Sequence, residues 1–226
     1  MGIPKTIAID GPAGSGKSTL GNLLAEELDY LYFDTGVMYR AVTLAAIKRK
    51  HDISDEEAIG ELANNVRIDV RPPSKDDGRD YDVILDGEDV TWDIRKESVN
   101  ENVSAVSAYG EVREAMTTQQ RRIAQENEVV MVGRDIGTVV VPDAELKIYL
   151  DASVEVRAHR RHQELIERGE AVDFDAVLNS LKHRDQIDSN REIAPLKPAE
   201  DAVVLKADCL GIRQVLEKAK ELVYHV

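Results

Sequence analysis

Apolar and polar positions follow two rhythms along this chain. Continuous apolar runs at Thr6–Ile9, Tyr30–Phe33, Val129–Val132, Leu146–Leu150 and Ala202–Leu205 suit strands buried on both faces. Elsewhere apolar residues return every three or four positions: over Ser18–Leu28, Val37–Arg49, Val112–Glu126, Val154–Arg168, Phe174–Asp188 and Ile212–Val223. That is the period of helices with one buried face. Strands alternating with helices predict an α/β fold, a five-stranded parallel sheet flanked by helices. One stretch breaks the alternation. Ser54-Asp55-Glu56-Glu57 reads as a capping box opening a short helix that ends near Asn64. Val66–Arg71 then alternates with period two, and Pro72–Asp80 is a polar loop. Tyr81–Leu85 and Glu88–Thr91 flank Asp86-Gly87, a strong hairpin signal. This stretch predicts a small antiparallel sheet inserted into the α/β domain, either a substrate-side subdomain or a passive decoration.

The chain's 226 residues suit one domain with insertions or two small domains. Hydrophobic residues make up 42% and aromatics 4%, so the core is expected to be Val, Ile, Leu and Ala. A net charge of −14 argues against non-specific binding to nucleic acid or an anionic membrane, and makes a local arginine cluster more telling. No apolar stretch approaches the roughly 20 residues of a membrane span. Met1-Gly2-Ile3-Pro4-Lys5 runs straight into the first strand without the apolar region of a signal peptide. The single cysteine, Cys209, cannot form an internal disulfide, which suits a reducing, cytoplasmic setting. It reads as a semi-buried small residue rather than a reactive thiol.

The segment Gly11-Pro12-Ala13-Gly14-Ser15-Gly16-Lys17-Ser18-Thr19 contains G-x-x-x-x-G-K-[ST] between a strand and a helix, the context a phosphate-binding P-loop needs. Its glycines let backbone N–H groups converge on phosphate oxygens, helped by the positive end of the next helix. Lys17 would reach the β/γ-phosphates of a nucleoside triphosphate, and the Ser18 hydroxyl would ligate Mg²⁺. The bland alternative is a glycine-rich turn with a chance Lys-Ser.

Several further residues fall where ligands bind, at the carboxyl ends of strands. Thr35 is placed to cap the second helix, with Arg40 about one turn inside it. Arg134 and Asp135 follow the third strand between Gly133 and Gly137, as chemistry or as a structural ion pair. Arg157 and Arg161 share a helix face with Arg160 beside them, either a phosphoryl clamp or a solvated face balanced by Glu155 and Glu164. His159 reads as an ordinary surface residue. Arg184, Asp188 and Arg191 fall at i, i+4 and i+7, which fits a ribose and phosphate grip or a surface ion-pair ladder. Gly169, between those two helices, is a candidate hinge.

Taken together these residues resemble the bacterial cytidylate (CMP/dCMP) kinases of the nucleoside monophosphate kinase superfamily. The resemblance runs essentially from end to end. It is carried by Ile9-Asp10-Gly11-Pro12 with the P-loop, by Asp34-Thr35-Gly36 through Tyr39-Arg40, and by Gly133-Arg134-Asp135-Ile136-Gly137-Thr138-Val139-Val140. Arg157-Ala158-His159-Arg160-Arg161 and Arg184-Asp185 through Arg191 with Ala194-Pro195-Leu196 complete it. The Gly-Arg-Asp-x-Gly-Thr segment is the most specific; the P-loop alone names only the superfamily. The long antiparallel insertion is also a hallmark of the bacterial type.

The resemblance implies a P-loop kinase fold with a helical lid, in one domain spanning residues 1–226. Its core would be 1–35, 111–156 and 192–226, its monophosphate-binding region with the insertion 36–110, and its lid 157–191. It implies ATP as donor, Mg²⁺ as cofactor, CMP and dCMP as acceptors, no nucleic-acid or membrane partner, and a monomer. Ser104, Arg113 and Asp135 look like base-recognition residues. Arg40, Arg134 and Arg191 look like acceptor-phosphate ligands, Arg184 and Asp188 like sugar contacts, and Arg157 and Arg161 like lid arginines near the donor phosphates. Thr35 stands where many relatives carry Ser and keeps the hydroxyl. Asp34 is a weak candidate for steadying Mg²⁺, and no motif marks the donor's adenine.

The chemistry is coherent. Cytosine offers an amino donor beside ring acceptors, which a carboxylate such as Asp135 and an arginine such as Arg113 complement; uracil reverses that polarity and would leave charged groups unpaired. A phosphate oxygen of CMP is its own nucleophile, largely ionised because its second pKa is about 6. Catalysis would then be alignment and neutralisation by Lys17, Mg²⁺ and arginines such as Arg134, Arg157, Arg161 and Arg184. The competing readings are a kinase for another small acceptor, such as shikimate, and a nucleotide switch signalling to a protein. The switch reading lacks the Asn-Lys-x-Asp base motif of GTPases.

Overall fold

The computed structural model describes residues 2–225; Met1 and Val226, the two ends of the expected single domain, lie outside the described residues. The expected apolar runs become β1 (Thr6–Asp10), β2 (Leu31–Asp34), β6 (Val129–Gly133), β7 (Leu146–Asp151) and β8 (Val203–Lys206). They form one parallel sheet in the order β2-β6-β1-β7-β8. β1 and β6, at its centre, are buried almost throughout, which their unbroken hydrophobicity requires. β8 differs from expectation. It is one of the two edge strands, and Val203 and Val204 stay substantially exposed: β2, at the other edge, is covered by α1, whereas β8 packs chiefly against β7. Cys209, just beyond it, is exposed rather than semi-buried.

Helices α1 (Lys17–Leu28), α2 (Gly36–Lys48), α5 (Gly110–Glu126), α6 (Val154–Glu167), α7 (Phe174–Asn190) and α8 (Ile212–His225) follow the 3.6-residue rhythm. Gly21 lets α1 lie directly on β6, since an added Cβ would stand 2.4 Å from Val132 Cγ2. Phe33, Ile7, Ile9, Leu20, Leu24 and Met131 fill the core beneath it. Ala13 of the P-loop packs instead into a separate small cluster with Ala158, Val177 and Leu181 of α6 and α7. Helices α6 and α7 therefore rest on the phosphate loop itself.

Between α2 and α5 lie α3 (Glu56–Asn65), β3 (Ile68–Arg71), β4 (Asp82–Leu85), β5 (Glu88–Asp89) and α4 (Glu97–Val106). The three strands form the expected antiparallel sheet, turning at Asp86 and Gly87, both at positive φ. The helix cap is not the expected Ser54. Asp55 Oδ1 accepts from Ala58 N–H at 3.1 Å, while Ser54 turns back to Asp52. β5 is shorter than Glu88–Thr91: Val90 N–H still donates to Val83 O at 2.9 Å, but the return bond is lost because Val83 N–H turns to Thr91 Oγ1 at 2.9 Å, which donates to Asp89 Oδ1 at 2.7 Å. The polar loop folds around Arg79, whose guanidinium is buried among Asp77, Asp82 and Asp89. Gly21→Val is expected to lower stability by roughly 1–3 kcal/mol through overpacking against Val132. The measurement is a fall in the urea midpoint with an unchanged m-value.

Candidate active site

The ends of β1, β2 and β6 open onto one cleft of about 550 Å³. β1 leads into the P-loop, where Gly11 is required because a Cβ there would lie 2.3 Å from Leu150 O. Gly16 enters α1 at φ 95°, in the left-handed region. The loop's side chains divide. Lys17 and Ser18 face the cleft with Ala13 and Gly14, whereas Ser15, Gly16 and Thr19 line a second, mostly apolar cavity of about 230 Å³. That cavity is walled by Arg160, which donates to Ala207 O at 2.6 Å, and by Leu150, Ile212 and Val215.

Lys17 is buried and its Nζ donates to Pro12 O at 3.0 Å. Burial first, then the nearby Arg134 and Arg184, pushes its ammonium well below the ordinary lysine range, against the pull of Asp34 and Asp188. Burial and Arg134 likewise lower the Arg184 guanidinium, and burial and Arg113 lower Arg191. This is like charge crowded into a low-dielectric cleft, the electrostatics of a site built to receive an anion. Buried Arg113 Nε and Arg191 Nε have no hydrogen-bond partner among the described residues.

Four of the other candidates form two ion pairs. Arg113 Nη2 donates to Asp135 Oδ2 at 2.7 Å, with both side chains buried and Arg113 lying over the Tyr39 ring. Arg134 Nε donates to Asp188 Oδ2 at 2.8 Å. Arg40 Nη1 donates to Ile94 O at 3.2 Å and also to Asn100. Ser104 lines the cleft from α4, a helix the sequence reading omitted, although Val99, Val103 and Val106 form its apolar stripe. Thr35 holds the N-cap position of α2 but caps nothing; its Oγ1 donates to Val132 O at 3.0 Å.

Two features differ from the sequence expectation. Arg157 does not face the cleft beside Arg161. It is buried behind the P-loop, donating to Ala13 O at 3.0 Å and to both carboxylate oxygens of Asp185. Arg161 does line the cleft, paired with Glu164 at 2.8 Å. Arg191 is not on the helix face with Arg184 and Asp188, because α7 ends at Asn190 and Arg191 begins extended chain. It still lines the cleft.

Sequence reasoning also missed Tyr81, Ile94, Arg95 and Asn100, all of which line the cleft from the inserted region. No motif marks them. Asp80 and Tyr81 also touch the P-loop side: Asn22 Nδ2 donates to Asp80 at 3.2 Å, and the Tyr32 and Tyr81 rings lie 5.6 Å apart. The insertion is therefore part of the cleft wall rather than decoration. For a metal, Ser18 Oγ donates to Asp34 Oδ2 at 3.2 Å. One hydroxyl and one carboxylate fit a hard cation that takes its other ligands from phosphates and water. Among the described residues, no cluster of three His, Cys, Asp or Glu side chains could hold a metal alone.

With this geometry established, comparison with known proteins is decisive. The family profile described as Cytidylate kinase matches residues 7–225. The chain belongs to the cytidylate kinase family. A cytidylate kinase of Herpetosiphon aurantiacus is 49% identical over 217 residues, 96% of this chain and 93% of the relative. One of Chloroflexus aggregans is 51% identical over 210 residues, 93% and 90% of the respective lengths. The crystal structure of an uncharacterized protein from Eubacterium ventriosum matches with a TM-score of 0.55 at 12% identity, covering 98% of this chain and 99% of that one, which speaks for the fold alone. As a member of this family the chain is a kinase, a phosphotransferase with a P-loop fold. Among the described residues no helix is long and apolar enough to cross a membrane.

One buried carboxyl of the Ile9-Asp10-Gly11-Pro12 segment has no role assigned from the sequence. Asp10, at the end of β1, is pushed up from 3.8 to about 6, by burial first and by Asp135, against two backbone N–H bonds and Lys17. Between about pH 4 and 6 the folded chain holds a proton there that the unfolded chain has released. This group therefore makes stability fall as pH rises through that window. Asp10→Asn removes the contribution, so the slope of unfolding free energy against pH should become more positive than in the wild type. Urea titrations at about pH 4, 5 and 6 measure it.

Proposed function

We propose that the chain transfers the γ-phosphoryl group of ATP to CMP and dCMP, releasing ADP with CDP or dCDP, as a cytoplasmic monomer in pyrimidine nucleotide metabolism. The observation that carries this reading is a single cleft with Lys17, Arg134 and Arg184 crowded at its centre and the buried Arg113–Asp135 pair at its side. The centre suits phosphates of two nucleotides meeting head on. The pair supplies an acceptor and donors that match the amino group and ring acceptors of cytosine.

Bringing the acceptor phosphate into line with the donor is the main task, because its oxygen is already the nucleophile. Arg40, Arg134 and Arg191 would bind the acceptor phosphate, Arg184 and Asp188 the sugar, and Ser104, Arg113 and Asp135 the base, with Thr35 at the floor. Lys17 and the P-loop backbone would hold the β/γ-phosphates, with Arg161 closing from the lid. Arg157 would act by bracing Ala13, through its bond to that carbonyl. Mg²⁺, held by Ser18 with Asp34 behind it, would supply charge neutralisation on the donor phosphates. The donor base would enter the second cavity, whose apolar walls and Arg160 suit a flat heterocycle. Region 36–110 would close over the monophosphate and region 157–191 over the donor, excluding water from the transfer.

ADP release measured with CMP, dCMP, UMP, AMP and GMP tests the reading. CMP and dCMP should react with UMP much poorer, and equal rates with all five would defeat the base-recognition argument. Lys17→Ala should abolish turnover while its circular dichroism and urea midpoint stay near wild type; near-normal turnover by the folded variant would contradict the role given to Lys17.

A further inference from the structure

Asp10 closes β1, and the next residue, Gly11, opens the P-loop. It is 4% exposed, and both carboxylate oxygens are used on backbone. Oδ1 accepts from Ile136 N–H and Oδ2 from Gly137 N–H, each at 2.8 Å. Those two N–H groups open a short π-helix, Ile136–Val140, directly after Arg134 and Asp135. Later N–H groups of that turn find partners inside it: Val139 and Val140 donate to Asp135 O, and Val141 to Ile136 O. The first N–H groups of any helical turn lack such partners. Here they are also buried, and among the described residues no side chain other than Asp10 accepts from them. A carboxylate is the side chain suited to this, since it offers two acceptors and no donor, whereas Asn would aim its own N–H₂ at one of the N–H groups.

The location couples two halves of the cleft. β1 and β6 run side by side with Asp10 opposite Gly133, so the P-loop and the Arg134–Asp135 turn leave the sheet at one level. The P-loop has further braces, from Arg157 to Ala13 O and from Lys17 to Pro12 O. The Arg134 and Asp135 side chains, by contrast, are paired with those of Asp188 and Arg113, which belong to other elements, with one long 3.5 Å bond from Arg134 Nη1 to Gly133 O besides. We infer that Asp10 is a positioning residue for acceptor recognition: by holding the Ile136 and Gly137 N–H groups it sets Arg134 and Asp135 at a fixed separation from the P-loop. This rests on the proposed acceptor roles of Arg134 and Asp135.

Asp10→Asn, assayed with ATP against CMP and UMP, is the test. A loss of positioning should lower kcat/KM for CMP on the order of 10- to 100-fold. It should narrow the preference for CMP over UMP and leave the KM for ATP within about threefold. A KM for ATP that rises as much as that for CMP, or no change in either for a folded variant, overturns the inference. Gly137→Pro removes the same contact from the other side, because proline has no N–H to donate to Asp10 Oδ2. It should show the same split, and it decides the matter alone if Asp10→Asn does not fold: equal losses for both substrates, or none, overturn the inference. A wild-type chain that ignores CMP would sink the proposed function instead, so the two failures are distinguishable.

Discussion

Positive charge held where it repels itself is the constraint on which this structure turns. Burial loosens the hold of Lys17 and Arg184 on their protons, Arg134 loosens both further, and Arg184 acts on Lys17 in the same sense. Such an arrangement persists only where the surrounding fold pays for it and where an incoming anion relieves it. The fold supplies the means through the central strands. β1, β2 and β6 end together, so a phosphate loop, a helix start and an arginine-bearing turn converge without any long or flexible reach.

The carboxylates keep that charge in order. Asp188 holds Arg134, Asp135 holds Arg113, and Asp185 holds Arg157 against the back of the P-loop. Buried pairs of this kind add little net stability, but each fixes a guanidinium in one orientation, which matters for groups that must meet a planar base or a phosphate. Arg157 and Arg161, one helical turn apart, show how burial separates similar residues: one is locked behind the loop and the other stays half exposed toward the cleft.

The insertion adds a wall rather than a second body. Its small sheet is pinned by Arg79 and its three carboxylates, and its far side delivers Tyr81, Ile94, Arg95 and Asn100 to the cleft. On the proposed function, that wall stands against the acceptor, opposite the lid helices that pack on Ala13.

Much of this was legible in the residue order. Unbroken apolar runs mark buried parallel strands, the Asp86-Gly87 pair marks the hairpin, and the glycine-rich loop before Lys17 can serve little besides phosphate, because backbone chemistry at those positions is local. Local signals were weaker where competing partners decide the outcome. Asp55 rather than Ser54 caps its helix, the Thr91 side chain replaced a ladder bond at the end of β5, and β8 fell at an edge that its composition does not reveal. Which arginines reach the cleft, which carboxylate each one meets, and that Asp10 spans to Ile136 and Gly137 were decided only by the tertiary structure. Those contacts join residues far apart in sequence, and no spacing rule acts across a folded sheet.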